Sequence, residues 1–167
     1  MADFNFELLS IALLKASFER PLELGLSGGH VKTSTNIRVT FRIKEEPDSH
    51  IEVELSVSIE VPTVAGEQSM QASATMLGLF QTHGNPPQDI INSFGNVNGP
   101  AILYPFVREA IANLTIKGNV APVLLPTMNF AAAFATTQQQ NTQLVAGSEK
   151  KKLDRPKKST SKPVNKA

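Results

Sequence analysis

The sequence predicts an α+β fold, in which a four-stranded antiparallel sheet carries C-terminal helices on one face. Segments where apolar and polar residues alternate fill the first half of the chain, and apolar residues at helical spacing follow Gly84. Strands that precede helices, rather than alternate with them, favour an antiparallel sheet. The 167 residues, 41% of them hydrophobic, suffice for one domain with a hydrophobic core.

Two neighbouring segments predict a β-hairpin. Apolar residues occupy every second position in residues 37–44 and again in residues 51–61, and polar residues lie between them. This pattern is typical of strands that are buried on one face. The connecting sequence EEPDSH contains Pro47, which favours a turn. A turn centred near Pro47 would place Arg42 opposite Glu52 on the solvent face.

Two further strands are predicted, one on each side of the hairpin in sequence. Residues 68–80 alternate in the same way, whereas residues 8–18, LLSIALLKASF, are apolar on both faces. A strand that is apolar on both faces needs a second cover besides its own core. We therefore predict an interface with another subunit at Leu9, Ile11 and Leu13.

Three helices are expected after the strands. The run NPPQDIINSFGN predicts a short helix that ends at Gly95, and Gly118 is the expected end of a longer one. Pro105 fits that helix only in its first turn or at a kink. Asn129 is a good N-cap for a last helix. The longer helix has one apolar stripe, made of Ile102, Leu103, Phe106, Val107, Ala110, Ile111 and Leu114.

The C-terminal segment differs from the rest of the chain in charge. Residues 150–167 hold eight of the 16 Lys and Arg residues and one of the 15 Asp and Glu residues. This segment therefore carries a formal charge of +7 and residues 1–149 a charge of −6. Because it has few apolar residues to bury, we predict a disordered basic tail at residues 148–167, after a folded domain at residues 1–147.

The residues that carry catalysis or hold metals do not form a recognisable motif. The chain has no cysteine, and its three histidines are far apart in sequence. The glycine-rich GLSGGH segment lacks the endings of phosphate-binding loops. The predicted protein is therefore not an enzyme and uses no cofactor or metal ion. The N-terminus MADFNFELL has acidic residues where a signal peptide needs basic ones, which predicts a cytoplasmic protein without membrane insertion.

A long C-terminal string carries a family resemblance. The sequence ILYPFVREAIANLTIKGNVAPVLLPTMNFAAAF, residues 102–134, resembles SecB, the bacterial protein-export chaperone. The shared features are an aromatic-Pro pair at Tyr104 and Pro105, an Arg-Glu pair at Arg108, a helix that ends at Gly118, a Leu-rich loop with prolines, and Asn-Phe at the start of the last helix. KASFERP and GLF, at residues 15–21 and 78–80, are similar to the ends of two SecB strands.

The resemblance implies a homotetramer, built as a dimer of dimers, that holds unfolded polypeptides without nucleotide. Its clients would be preproteins kept competent for Sec-dependent export, and SecA a further partner that contacts acidic residues of the sheet. Glu19 matches one of these acidic positions, whereas Lys15 and Ser73 replace others. By similarity, the client-binding groove is lined by Leu22, Leu24, Leu26, Val123, Leu124, Leu125, Phe130 and Phe134.

Two other functions stay open from the sequence. Related SecB-like chaperones are dedicated to an antitoxin of a toxin–antitoxin module, and the changes at Lys15 and Ser73 would suit such a role. A nucleic-acid-binding or scaffold protein is the alternative from another class, in which the basic tail carries the activity. Deleting residues 148–167 separates the classes, because only the second would lose its activity. Nucleic acid is not a partner in the interpretation that we favour.

Overall fold

The structure, a computed structural model, describes residues 4–21, 33–44, 49–62 and 69–139. The four predicted strands are present as β1 (Asn5–Glu19), β2 (Ser34–Lys44), β3 (His50–Pro62) and β4 (Ser69–His83). They form one antiparallel sheet in the order β1-β4-β3-β2. The helices follow as α1 (Gln88–Ser93), a π-helical turn (Phe94–Asn98), α2 (Gly99–Lys117) and α3 (residues 130–139). The predicted fold class is confirmed.

The chain divides into two compact units, Met1–Ala131 and Ala132–Ala167. The first contains the sheet with α1 and α2. Of the second, the structure describes the helical residues 132–139, in which Thr136 and Thr137 bond back to the carbonyls of Ala132 and Ala133. The predicted tail at residues 148–167 lies outside the described residues.

The predicted hairpin is confirmed, and its register places Arg42 opposite Glu52. The carboxylate of Glu54 is nevertheless the one that lies within ion-pair distance, at 4.0 Å from Arg42 Nη2. Residues 45–48 lie outside the described residues, and with them the predicted turn at Pro47. The strand that follows β1 in sequence does not lie beside it, since β4 is the neighbour of β1.

One face of β3 and β4 forms the core. Alternate residues from Ile51 to Val61 are buried, and so are alternate residues from Met70 to Phe80. The register of β3 with β4 sets each buried residue opposite another, for example Leu55 opposite Met76. The residues between them face outward and are mostly polar, except Leu77 and Leu79 on β4, which explains most of the alternation in the sequence.

Helix α2 covers this core face closely. Gly78 on β4 has no room for a side chain, because a Cβ there would lie 2.9 Å from Cδ2 of Leu103 on α2. A Cβ placed on Gly99, at the start of α2, would likewise lie 2.8 Å from Cγ2 of Val53. The π-helical turn is fixed by Phe94, which stacks on Phe6 with ring centroids 4.1 Å apart.

Two details of the predicted helices are wrong. Gly95 does not end the first helix, because the chain passes through the π-helical turn directly into α2. Of the two places predicted for Pro105, the first turn is excluded, since Pro105 lies further inside α2, where it gives up one backbone hydrogen bond. The buried stripe of α2 includes Tyr104 and Thr115, whereas Ile102 and Phe106 are about 40% exposed.

Candidate functional site

The connection between α2 and α3 is irregular in backbone conformation but is tied to α2 at two points. The buried hydroxyl of Thr115 accepts a hydrogen bond from the N–H of Val123 at 3.1 Å and donates to the carbonyl of Ala112 at 2.8 Å. The hydroxyl of Tyr104 donates to the carbonyl of Pro126 at 2.6 Å. These bonds fix the chain on both sides of Leu124 and Leu125, so the loop presents a defined surface.

The two leucines of this loop have opposite environments. Leu125 is 2% exposed and belongs to the core, whereas Leu124 is 74% exposed. The loop turns the side chain of Leu125 into the core and leaves that of Leu124 in water. Leu124 therefore exposes apolar surface, and Leu125 holds the loop in place.

The other residues predicted for the groove are placed as follows. Phe130 is 5% exposed, and its ring lies edge-on to Tyr104 with centroids 5.5 Å apart. Val123 packs half-buried against the core. Phe134 is half-buried in α3. Leu22, Leu24 and Leu26 lie outside the described residues.

Strand β1 exposes apolar residues along much of its length. The predicted interface residues Leu9 and Leu13 are 48% and 53% exposed, whereas Ile11 is half-buried against the core. Leu8 and Leu14, which the sequence did not single out for the interface, are exposed to a similar degree. β1 is an edge strand of the sheet, and the described residues leave these side chains uncovered.

Two register shifts in β1 explain why both of its faces are apolar. The pairing with β4 skips Leu9 and Leu14, so each lies at an irregularity that opposes two residues to one. Each shift reverses the alternation of faces, and Leu13 comes to lie opposite the core residue Met76. The sequence signal was present, since residues 8–14 of this strand interrupt the alternation with a single polar residue, Ser10.

The opposite face of the sheet is polar. Glu19 is exposed there, at one end of a trough of about 380 Å³ whose floor is made of small polar residues such as Ser17, Ser58 and Ser73. Ser17 and Ser73 share a hydrogen bond of 2.7 Å across β1 and β4. At the other end of β1, Glu7 pairs with His83 at 2.9 Å. The predicted SecA-contact residue therefore shares this trough with a second carboxylate, that of Glu60 on β3.

Within the described part of the chain, no cluster of three or more His, Cys, Asp and Glu side chains could hold a metal ion. None of the described helices is long and apolar enough to cross a membrane. What the described surface does offer is exposed apolar area on β1, on α2 and in the loop that follows α2. Such area binds by burial and needs no reacting group.

The titration of Tyr104 should report the anchored loop. Burial raises the pKa of Tyr104 above its usual value near 10, against a smaller lowering by the nearby Arg108 cation. Because the folded-state pKa exceeds the unfolded one, the contribution to stability is complete below pH 10 and is lost as the pH rises through the raised value. Tyr104 is the chain's single tyrosine and tryptophan is absent, so ultraviolet absorbance follows this group alone.

We expect the tyrosinate midpoint to lie higher in the folded protein than in denaturant. The variant Arg108→Gln should raise it further, because the opposing cation is removed. Equal midpoints in the folded and denatured protein would contradict the buried hydrogen bond to Pro126.

Comparison with known families identifies the family of the chain. The model of the family described as "Preprotein translocase subunit SecB" matches residues 2–141. The chain belongs to the SecB family. Its relatives include the protein-export protein SecB of Saccharophagus degradans, 34% identical over 74% of this chain and 73% of the relative. SecB of Magnetococcus marinus is 29% identical over 81% of this chain and 85% of the relative.

A solved structure agrees with the SecB assignment at the level of the fold. The SecB-like chaperone of Mycobacterium tuberculosis, solved in complex with a peptide from the HigA1 antitoxin, matches with a TM-score of 0.64 at 17% sequence identity. The match covers 74% of this chain and 91% of the other. The four-stranded sheet followed by C-terminal helices is thus a SecB fold.

Sequence reasoning missed one residue that matters for this SecB surface. Thr115 continues the stripe of Leu103, Val107 and Ile111 at intervals of four, and it was left out because it is polar. A hydroxyl in an apolar stripe is itself a signal, since a buried polar group needs a partner. In this protein the partner is the backbone of the loop that displays Leu124.

Proposed function

We propose that this SecB-family protein is an ATP-independent holdase that binds unfolded polypeptides through exposed apolar surface. The observation that carries the proposal is Leu124, which is 74% exposed on a loop held rigidly by Tyr104 and Thr115. Ordering a loop costs free energy, and an exposed leucine lowers solubility. A non-native client that covers Leu124 supplies the missing burial.

The strength of one such contact is modest. Covering most of a leucine side chain contributes about 1–2 kcal/mol. One site therefore binds weakly and releases quickly, and several sites on one assembly raise the overall affinity through effective concentration. Leu22, Leu24, Leu26, Val123 and Phe134 remain our proposed additional contacts. Leu125 and Phe130 would contact a client only after leaving the core, so Leu124 is the first candidate.

Holding requires no chemical step. A protein that binds only the unfolded state of its client draws the client's folding equilibrium toward that state by mass action. The clients that we propose are preproteins awaiting Sec-dependent export from the cytoplasm, in keeping with the protein-export names of the relatives. We propose no catalytic role and no cofactor.

We also propose a homotetramer, arranged as a dimer of dimers. Its support is the apolar surface that the described chain leaves uncovered, on β1 through residues such as Leu13 and on α2 through Ile102, Phe106 and Ile116. SecA is proposed as a further partner at the polar sheet face, where Glu19 is exposed. Neither partner depends on the client-binding loop.

The holdase activity should appear in a light-scattering assay. Full-length protein, added at one tetramer per molecule of an aggregation-prone client diluted from denaturant, should suppress scattering equally with and without ATP. The reason is that the apolar surface is already exposed before any nucleotide is present. Unchanged scattering across a tenfold excess of chaperone would refute the proposal.

A dedicated antitoxin chaperone is the second candidate. It is favoured by Lys15 and by Ser73, the latter hydrogen-bonded to Ser17, on the face where export-type relatives are expected to present acids. The Mycobacterium tuberculosis neighbour was solved with an antitoxin peptide. Coexpression with SecA-dependent preproteins and with a HigA-type antitoxin distinguishes the two, because a dedicated chaperone would keep only the antitoxin in solution.

A further inference from the structure

Strand β2 (Ser34–Lys44) ends the sheet, and among the described residues no strand pairs with its outer edge. A free edge offers a row of backbone N–H and C=O groups to another extended chain. β1 is the opposite edge, but its register shifts at Leu9 and Leu14 break the row. β2 pairs with β3 without any shift from Ser34 to Lys44. The backbone of β2 is therefore regular enough to accept a further strand.

Three of the six outward residues of β2 are basic. Arg38, Arg42 and Lys44 are exposed on the polar face, with Thr40 between them. Within the described chain, Arg42 has the carboxylate of Glu54 at 4.0 Å and its side chain is still 68% exposed. Arg38 lies opposite Ser56, and Lys44 opposite His50, so the carboxylates that β3 brings nearest to them are the diagonal Glu54 and Glu52. On the outer side of β2, where no described strand pairs, these cations have no cross-strand neighbour.

The other face of β2 is apolar and only partly covered. Ile37 and Val39 are half-buried, and Ile43 is 37% exposed. A strand added at this edge would cover these side chains with its own apolar residues, and its outward residues would lie beside the cations. Cross-strand neighbours of opposite charge stabilise a sheet and like charges destabilise it.

A second copy of β2 does not fit this edge. Pairing two β2 strands would bring their basic side chains together on one face, which is how natural sheets prevent edge-to-edge association. The strand that β2 does accept, on its inner edge, is β3. Its sequence IEVEL alternates apolar residues with Glu52 and Glu54. Strand β3 therefore shows that a strand of alternating apolar and acidic residues can pair with β2.

We propose that the outer edge of β2 binds an extended segment in which acidic and apolar residues alternate, as an added fifth strand. Arg38 and Lys44 select the acidic residues, and Ile43 is covered by the apolar ones. Backbone hydrogen bonds supply affinity, and alternate side chains supply selectivity. This site does not rest on the proposed holdase function.

Fluorescence anisotropy with defined peptides tests the site. The probe is a capped, labelled peptide of residues 50–57, HIEVELSV, and the comparison peptide has lysine in place of both glutamates. We expect the full-length protein to bind the acidic peptide about tenfold more tightly at low salt. A third peptide, N-methylated at two successive backbone amides, should lose binding, because the methyl groups block both of its edges.

Variants of β2 and of the opposite edge strand test whether β2 causes the preference for the acidic peptide. Arg38→Glu combined with Lys44→Glu should reverse the order of the two peptides, and both positions are exposed enough to leave the fold intact. Lys15→Glu, on the opposite edge strand, adds the same kind of charge and should leave the order unchanged. Equal affinity for the two charged peptides, or unimpaired binding of the N-methylated one, overturns the proposal. The comparison of the three peptides uses the unmodified protein, so it tests the site even if the double variant does not fold. Light scattering tests the holdase proposal independently of peptide binding at β2.

Discussion

Replacing Leu125 with alanine should lower the free energy of unfolding by about 2–5 kcal/mol, while the same change at Leu124 should alter it by less than about 0.5 kcal/mol. The two residues are adjacent and chemically identical. Leu125 is 2% exposed, so truncation removes buried methyl groups and leaves a cavity. Leu124 is 74% exposed, so it has little burial to lose.

The same pair should separate stability from client binding. Leu124→Ala should fold normally and yet need severalfold more protein to suppress client aggregation, because the surface that a client covers is reduced. Urea unfolding followed by circular dichroism measures the first quantity, and light scattering the second. Both variants should be compared at one protomer concentration, since assembly shifts the unfolding midpoint.

Two results would count against this interpretation. If Leu124→Ala destabilised the protein as much as Leu125→Ala, the loop would not be anchored as Thr115 and Tyr104 indicate. If Leu124→Ala kept full holdase activity, the client-binding surface would lie elsewhere, and the residues at 22–26 would become the first candidates.

Placing aspartate at both Leu13 and Leu14 should break the proposed tetramer into species of one or two chains, since the exposed apolar surface of α2 is left intact. Both side chains are 53% exposed in the chain and lie on the edge strand β1. If a second subunit covers them, two carboxylates would have to be buried without partners, which costs several kcal/mol. The fold should persist, because neither residue belongs to the buried core.

Native mass spectrometry measures this effect. The matched control is Ser34→Asp with Thr40→Asp, which adds the same two charges at exposed positions of β2. The control should keep the mass of the unmodified protein. A double aspartate variant at Leu13 and Leu14 that keeps the mass of a tetramer would show that β1 is not an interface, and an unmodified protein of monomeric mass would remove the tetramer altogether.

The strands could be predicted from the sequence because burial on one face leaves a period of two. The alternation in residues 51–61 translates directly into the buried face of β3, and the opposite placement of Arg42 and Glu52 follows from the short hairpin connection. The order of the strands could not be predicted in this way. Alternation shows which face of a strand is buried but not which strand lies beside it, and β1 lies beside β4.

The loop after α2 shows the limit of residue patterns more sharply. VLLP gives no reason to separate Leu124 from Leu125, since both are leucines in a Pro-rich connection. Their difference arises from two distant hydrogen-bond donors and acceptors, Thr115 and Tyr104, that fix the backbone around them. Such a constraint is tertiary, and it becomes visible only when the helix and the loop are placed together.

The π-helical turn Phe94–Asn98 has a consequence for the length of the chain at this point. A π turn holds one more residue than an α turn, and each residue advances a helix by about 100°. Removing one residue here would restore regular winding and rotate everything downstream, so Leu103, Val107 and Ile111 would face away from the sheet. The π-helical turn therefore sets the rotation of α2 about its own axis relative to α1. This segment can change its residue types far more freely than its number of residues.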